Sequence, residues 1–379
     1  MFSSRRAFVC LFLVLQICSL QASSSLSSGK KVSGSDGVSK VHLILPHKAN
    51  ATATVPVNFT LTYPADPQIT LAHPKPLVLL LNGASVESFW YSRVIERLAK
   101  QRFVVASSDY YRAFPYKTRV LPRPGCRQDA IVDVSARLIN TLYDFIENVT
   151  NGDLGANREF DFLRRANLGQ LLLLSHSLGA FVACDVLTGG CEADASGNGS
   201  CEGYTPVLNK DGRDVVIGVV AFEGYITDTK GKPKEIALPD GTFVLYLAGQ
   251  YNKRARDAYR RTHKSDSCAS YVSFHNMTHY GMNDFVSPPE SHQVTPCAAP
   301  IPTDDPKFTT DAATQNAGVD LIADIINAAV SVREQGIKRA VDFLDSLADQ
   351  PRVLEAIINT DCLRDHAHST ATSEEIDQE

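Results

Sequence analysis

No stretch of this sequence concentrates positive charge: 37 Lys and Arg are set against 42 Asp and Glu, for a net charge of −5. Without a basic stripe there is no electrostatic footprint for nucleic acid, and the expected substrate is not a polyanion. Beyond Leu20 the sequence also lacks a long apolar run. A bilayer-crossing helix needs ~20 such residues, so the mature chain is expected to have no transmembrane span. No residue type dominates and no unit repeats, which excludes low-complexity and solenoid architectures. What is present, 44% hydrophobic residues in a chain of 379, is enough for one large core or two small ones.

The first residues carry a compartment signal. Arg5 and Arg6 precede an apolar run from Ala7 to Leu20, which ends near the small residues of Gln21-Ala22-Ser23. A basic start, an apolar stretch short for a membrane span and a small-residue exit read as a signal peptide over residues 1–22. Seven cysteines follow it (Cys126, Cys184, Cys191, Cys201, Cys268, Cys297 and Cys362), an odd number that leaves at least one unpaired within the chain. Cys191 and Cys201 bracket a Gly/Ser-rich loop and are the expected disulfide, whereas Cys184 lies in an apolar helical pattern and reads as a small core residue. Glycosylation sequons stand at Asn50, Asn58, Asn148, Asn198 and Asn276, the last expected to be unused because it lies beside a candidate site histidine. These signals predict the secretory pathway or the cell exterior. Residues 23–40, rich in Ser, Gly and Lys, read either as a flexible linker or as a transit segment that would redirect the chain to a plastid.

Short strands are expected at Val41–Leu45 and Val57–Tyr63, and then buried strands alternate with helices. Leu77–Leu81, Phe103–Ala106, Leu171–Leu174, Val215–Phe222, Thr242–Leu247 and Tyr271–Phe274 read as strands by their unbroken apolar character. Phe89–Lys100, Asp129–Asn148 and Asp320–Val332 carry apolar residues at helical spacing. That alternation predicts an α/β fold: a mostly parallel twisted sheet with helices on both faces and an antiparallel N-terminal edge. The expected domain covers residues 41–335. Helices at Ile337–Leu347 and Val353–Ile358 are expected to follow within residues 336–365, with a disordered tail over 366–379.

The chemistry concentrates in Leu171-Leu-Leu-Leu-Ser-His-Ser-Leu-Gly-Ala-Phe. A buried strand ends, a tight turn presents Ser177, and a helix begins. Such an elbow strains the serine backbone and demands small residues two before and two after it, here Ser175 and Gly179. Leu79-Leu-Leu-Asn-Gly-Ala ends an earlier strand where the second oxyanion loop belongs, so the backbone N–H groups of Ala84 and Leu178 are the expected oxyanion donors. His279, in Thr-His-Tyr-Gly-Met-Asn-Asp after the last central strand, is the expected base, with His275 and His292 as competitors. The acid should close a strand after the nucleophile. Glu223 does so, with Asp228, Asp257 or no acid at all as the alternatives.

On these residues the chain resembles the chlorophyllase branch of the α/β-hydrolases, a neighbour of the platelet-activating-factor acetylhydrolases and the polyester hydrolases. The likeness runs from about Pro76 to Phe285. It is carried by Pro76-Leu-Val-Leu-Leu-Leu-Asn-Gly-Ala, by Phe-Trp-Tyr-Ser, by Phe-Val-Val-Ala-Ser-Ser-Asp-Tyr-Tyr and by the histidine unit. The resemblance implies a serine esterase that removes phytol from chlorophyll through an acyl-enzyme, with no metal or other cofactor. It supports Ser177, His279, Leu178 and Ala84 in their roles. Three positions depart from the family pattern: Leu178 replaces an arginine, Asn82 a histidine, and Val220 falls where the family has its aspartate. The alternatives are a secreted lipid or phospholipid esterase of the acetylhydrolase type, and a weakened hydrolase fold that only binds an apolar ester. Nothing in the sequence identifies a protein partner.

Overall fold

The computed structural model describes residues 30–33, 37–48, 54–66, 74–83, 86–108, 136–151, 158–188, 204–225, 238–263, 268–284, 310–335 and 337–364. Outside them lie the leader, Asn50, Ala84, Cys191, Cys201, Asn198, Asp228, His292 and the polar tail.

Among the described residues ten strands form one sheet: β1 (Lys30–Ser33), β2 (Val38–Lys48), β3 (Thr54–Pro64), β4 (Lys75–Leu81), β5 (Val104–Ser108), β6 (Ala166–His176), β7 (Val216–Phe222), β8 (Phe243–Ala248), β9 (Ala269–Phe274) and β10 (Val353–Ile357). Their spatial order is β1-β2-β3-β5-β4-β6-β7-β8-β9-β10. β1, β2 and β3 pair antiparallel, β3 meets β5 antiparallel, and from β5 to β9 every pairing is parallel. The sheet thus begins inside the stretch read from sequence as a linker, because β1 and the start of β2 lie within residues 23–40.

Side-chain alternation splits the core in two. Leu77, Leu79 and Leu81 of β4 join Leu171 and Leu173 of β6 on one face, while Val78, Leu80, Leu172 and Leu174 point to the other. The first face is covered by α2 (Arg137–Asn151), α3 (Leu178–Leu187) and α4 (Lys253–His263). The second is covered by α1 (Ser92–Lys100), α5 (Ala312–Gln335) and α6 (Lys338–Asp345). Strands buried on both faces need no polar alternation, which is why they read as continuous apolar runs.

One expectation is corrected. Val353–Ile357 is a strand, pairing antiparallel with β9, and not a helix. Its short apolar run carries no period that separates the two states, and an open sheet edge beside β9 decides the matter. The disulfide among the described residues is Cys268–Cys362, with Cα atoms 5.6 Å apart, which ties the start of β9 to the segment after β10. The expected Cys191–Cys201 pair falls outside the described residues. Cys184 is free and buried in α3, and burial pushes its thiol pKa well up. No helix among the described residues is long and apolar enough to cross a membrane.

Candidate active site

The turn between β6 and α3 holds Ser177 at φ 50° and ψ −115°, a conformation rare for a residue with a side chain. Its N–H donates to the Phe222 carbonyl at 2.9 Å, which anchors the turn to the neighbouring strand. The turn is possible only because the chain crosses itself closely. A Cβ on Gly179 would run into the Leu81 and Asn82 carbonyl oxygens, and one on Gly224 into Ala180. Ser175, where the pattern prefers glycine, is fully buried and donates its hydroxyl to the Val220 carbonyl at 2.8 Å. The serine therefore fits without leaving a polar atom stranded.

Glu223 follows β7 directly and also has a positive φ, 58°. Its carboxylate is almost covered, with 7% of the side chain exposed. Two donors fix it: the Gly249 N–H reaches Oε1 at 2.5 Å and Asn252 Nδ2 reaches Oε2 at 2.9 Å. His279 lies between acid and nucleophile, with Nδ1 3.3 Å from Glu223 Oε2 and Nε2 3.1 Å from Ser177 Oγ. Three side chains singled out in the sequence thus meet in one hydrogen-bonded line. Carboxylate, imidazole and hydroxyl in that order orient the histidine tautomer and prepare the serine to lose its proton.

The fold is that of the α/β-hydrolases. The parallel sheet, the serine on a strained strand-to-helix turn, and the chain order Ser, Glu, His together define it.

The other candidates are placed elsewhere. His275 is exposed beyond the end of β9, and Asp257 is exposed on α4. Val220, where the resemblance would put an aspartate, sits in the middle of β7 with 1% exposure. Asn82 is buried and donates to the Ser108 carbonyl at 2.9 Å, so its side chain braces the end of β4 against β5. Leu178 opens α3, and its N–H has no acceptor among the described residues, as an oxyanion donor requires. Ala84 lies outside the described residues. Asn58 and Asn148 are exposed, on β3 and α2, and Asn276 is exposed at a turn with φ 56°.

Sequence reasoning missed two buried residues here. His176, next to the nucleophile, is fully enclosed, and burial with the nearby His279 lowers its pKa to about 3. Tyr91 faces it, with its hydroxyl 2.8 Å from His176 Nδ1. The available signal was a histidine that closes the strand two residues after the apolar run Leu171–Leu174. A cavity of about 370 Å³ lies against the acid–base side of the site, lined in part by Glu223, Gly249, Tyr251, Asn252, Thr278 and His279.

Neither a protein-family model nor a curated protein sequence matches the chain. Among solved structures it is similar to a ferulic acid esterase from Streptomyces cinnamoneus. The identity is 15%, 78% of this chain and 88% of that one are covered, and the TM-score is 0.46. It is also similar to esterase B from Lactobacillus rhamnosis in complex with a tributyrin phosphonate inhibitor. There the identity is 14%, the coverage 72% of this chain and 85% of that one, and the TM-score 0.39.

Proposed function

We propose that the chain is a serine carboxylic-ester hydrolase working through an acyl-enzyme. The observation that carries the reading is the continuous Glu223–His279–Ser177 line, with the serine at a positive φ. Ser177 Oγ attacks the ester carbonyl while His279 Nε2 takes its proton, and Glu223 holds the imidazole through Nδ1. The Leu178 N–H, at the start of α3, meets the developing oxyanion, and the Ala84 N–H is the expected second donor. The imidazolium then protonates the leaving alcohol. A water activated by the same histidine releases the acid.

For the substrate, we favour an ester of a long apolar alcohol, with the phytyl ester of chlorophyll as the specific case. Its support is the resemblance of the Pro76–Phe285 region to chlorophyllases. A lipid or phospholipid ester is the alternative. The reading of a weakened fold that only binds rested on the missing aspartate and the substituted motif glycine; Glu223 Oε2 3.3 Å from His279 Nδ1 and the buried, hydrogen-bonded Ser175 speak for the hydrolase reading instead. For the compartment we propose the secretory route, or a plastid reached through it. The leader and the Cys268–Cys362 disulfide support an oxidising environment.

The test is hydrolysis of chlorophyll a beside a short and a long p-nitrophenyl ester, with Ser177→Ala as control. Ser177-dependent chlorophyllide is the expected product. Turnover of the p-nitrophenyl esters alone would leave a general or lipid esterase, and no Ser177-dependent turnover of any would overturn the hydrolase reading.

A further inference from the structure

His176 and Tyr91 form a hydrogen-bonded relay that joins the two halves of the site from beneath. The Gly83 N–H donates to Tyr91 Oη at 2.8 Å, and Tyr91 Oη lies 2.8 Å from His176 Nδ1. His176 Nε2 lies 2.8 Å from the backbone carbonyl of His279. The last contact sets the direction of the whole chain, because a carbonyl can only accept. Nε2 therefore carries the hydrogen, and in a neutral imidazole Nδ1 must accept. The Tyr91 hydroxyl donates to it while its oxygen accepts from Gly83. Every group in the relay has a single assignment.

Gly83 belongs to the loop that leaves β4 toward Ala84, and His279 is the base. Both loops rest on the same two side chains, which are completely buried. The fit leaves no slack: a Cβ on Gly83 would come within 2.5 Å of His176 Nδ1.

We propose that Tyr91 and His176 are positioning residues that set the spacing between the oxyanion loop and the His279 backbone, so that oxyanion and base are held in register. The inference rests on the hydrolase reading above. Neither side chain touches substrate. Each acts through a main-chain group, Gly83 N–H on one side and His279 C=O on the other. Displacing an oxyanion donor costs about 10²–10³ in rate when complete, and a shift of about 1 Å in a reacting group can cost 10²-fold. A loosened relay should give part of that loss.

The experiment compares wild type, Ser177→Ala, Tyr91→Phe and His176→Gln on a p-nitrophenyl ester. Rates are expressed per active site titrated with a fluorophosphonate, so that misfolded protein drops out. Tyr91→Phe should lower kcat by roughly 10–100-fold with KM within about threefold. Affinity for a trifluoromethyl ketone, which forms an oxyanion on Ser177, should fall in parallel. His176→Gln can still present an N–H to the His279 carbonyl and should lose less. Folded variants with kcat and ketone affinity within about twofold of wild type would overturn the inference.

Should a variant fail to fold, histidine ¹⁵N NMR of the wild-type chain decides. His176 is expected as the Nε2–H tautomer, with that proton exchanging slowly between pH 5 and 8. An Nδ1–H tautomer, or a His176 that titrates in that range, would overturn the relay. A wild type without Ser177-dependent labelling or turnover would sink the hydrolase reading and the inference with it. Normal wild-type turnover with unaffected variants sinks the inference alone.

Discussion

At Glu223 a carboxylate is desolvated, doubly hydrogen-bonded and aimed at an imidazole. The Gly249 and Asn252 donors hold it still, so in the proposed mechanism its contribution is orientation of His279 rather than proton transfer. Glu223→Gln keeps the shape and removes the charge, and kcat should fall about 10³–10⁴-fold with the fold intact. A loss below tenfold would mean that another group orients His279. His176 gives a second prediction at this scale. Its folded pKa, about 3, lies below the ordinary histidine value of 6.5. The unfolded chain therefore takes up a proton first, and stability is complete above pH 6.5 and declines as pH falls toward 3. The slope is roughly 1.4 kcal/mol per pH unit once the unfolded histidine is charged. His47, buried and near Arg137, is depressed to about 4 and acts in the same direction. The urea midpoint should drop clearly between pH 7 and pH 4.5, and a flat midpoint would contradict the burial of both.

At the scale of elements, the site depends on how closely α3 crosses the ends of β4 and β7. Gly179 and Gly224 permit that crossing. Gly179→Ala must push backbone against backbone, so we expect a loss of roughly 1–3 kcal/mol, the usual cost of overpacking. Fluorophosphonate reactivity should fall with it, since the elbow itself must move. The contact between α1 and α5 is of another kind. Arg93–Asp320 and Arg97–Asp324 are half-exposed ion pairs, and Asp324→Ala should shift stability by under about 1 kcal/mol. The elements themselves were largely legible in the sequence. Each central strand announced itself because burial on both faces removes polar residues from it. β10 did not, since five residues, four of them apolar, fit either state, and its identity comes from the open edge of β9. β1 is polar and joins the sheet only through β2. For the site, Ser177, His279 and Glu223 follow from where strands end. Tyr91 and His176 could not be paired from sequence, because 85 residues separate them and nothing local reveals that they touch.

At the scale of the whole molecule, the sheet is closed on the far side by a bond between segments 94 residues apart. Cys268 begins the approach to β9, the strand that delivers His279, and Cys362 follows β10, which pairs with it. Cross-linking so large a loop restricts the unfolded chain, and Cys362→Ser should lower stability by roughly 2–4 kcal/mol. Equilibrium urea unfolding with and without reductant checks this. Reductant should lower the wild-type midpoint by more than it lowers the variant's.

That separation also has a consequence in time. A ribosome adding about 5–20 residues per second delivers Cys362 roughly 5–20 seconds after Cys268. During that wait β9 has no partner on its outer edge, and the first later thiol to arrive is Cys297. On the proposed secretory route, Cys268 would therefore meet Cys297 or an earlier thiol before Cys362 arrives. The chain's maturation should depend on a disulfide isomerase to a degree that its sheet, nearly complete by residue 274, does not suggest.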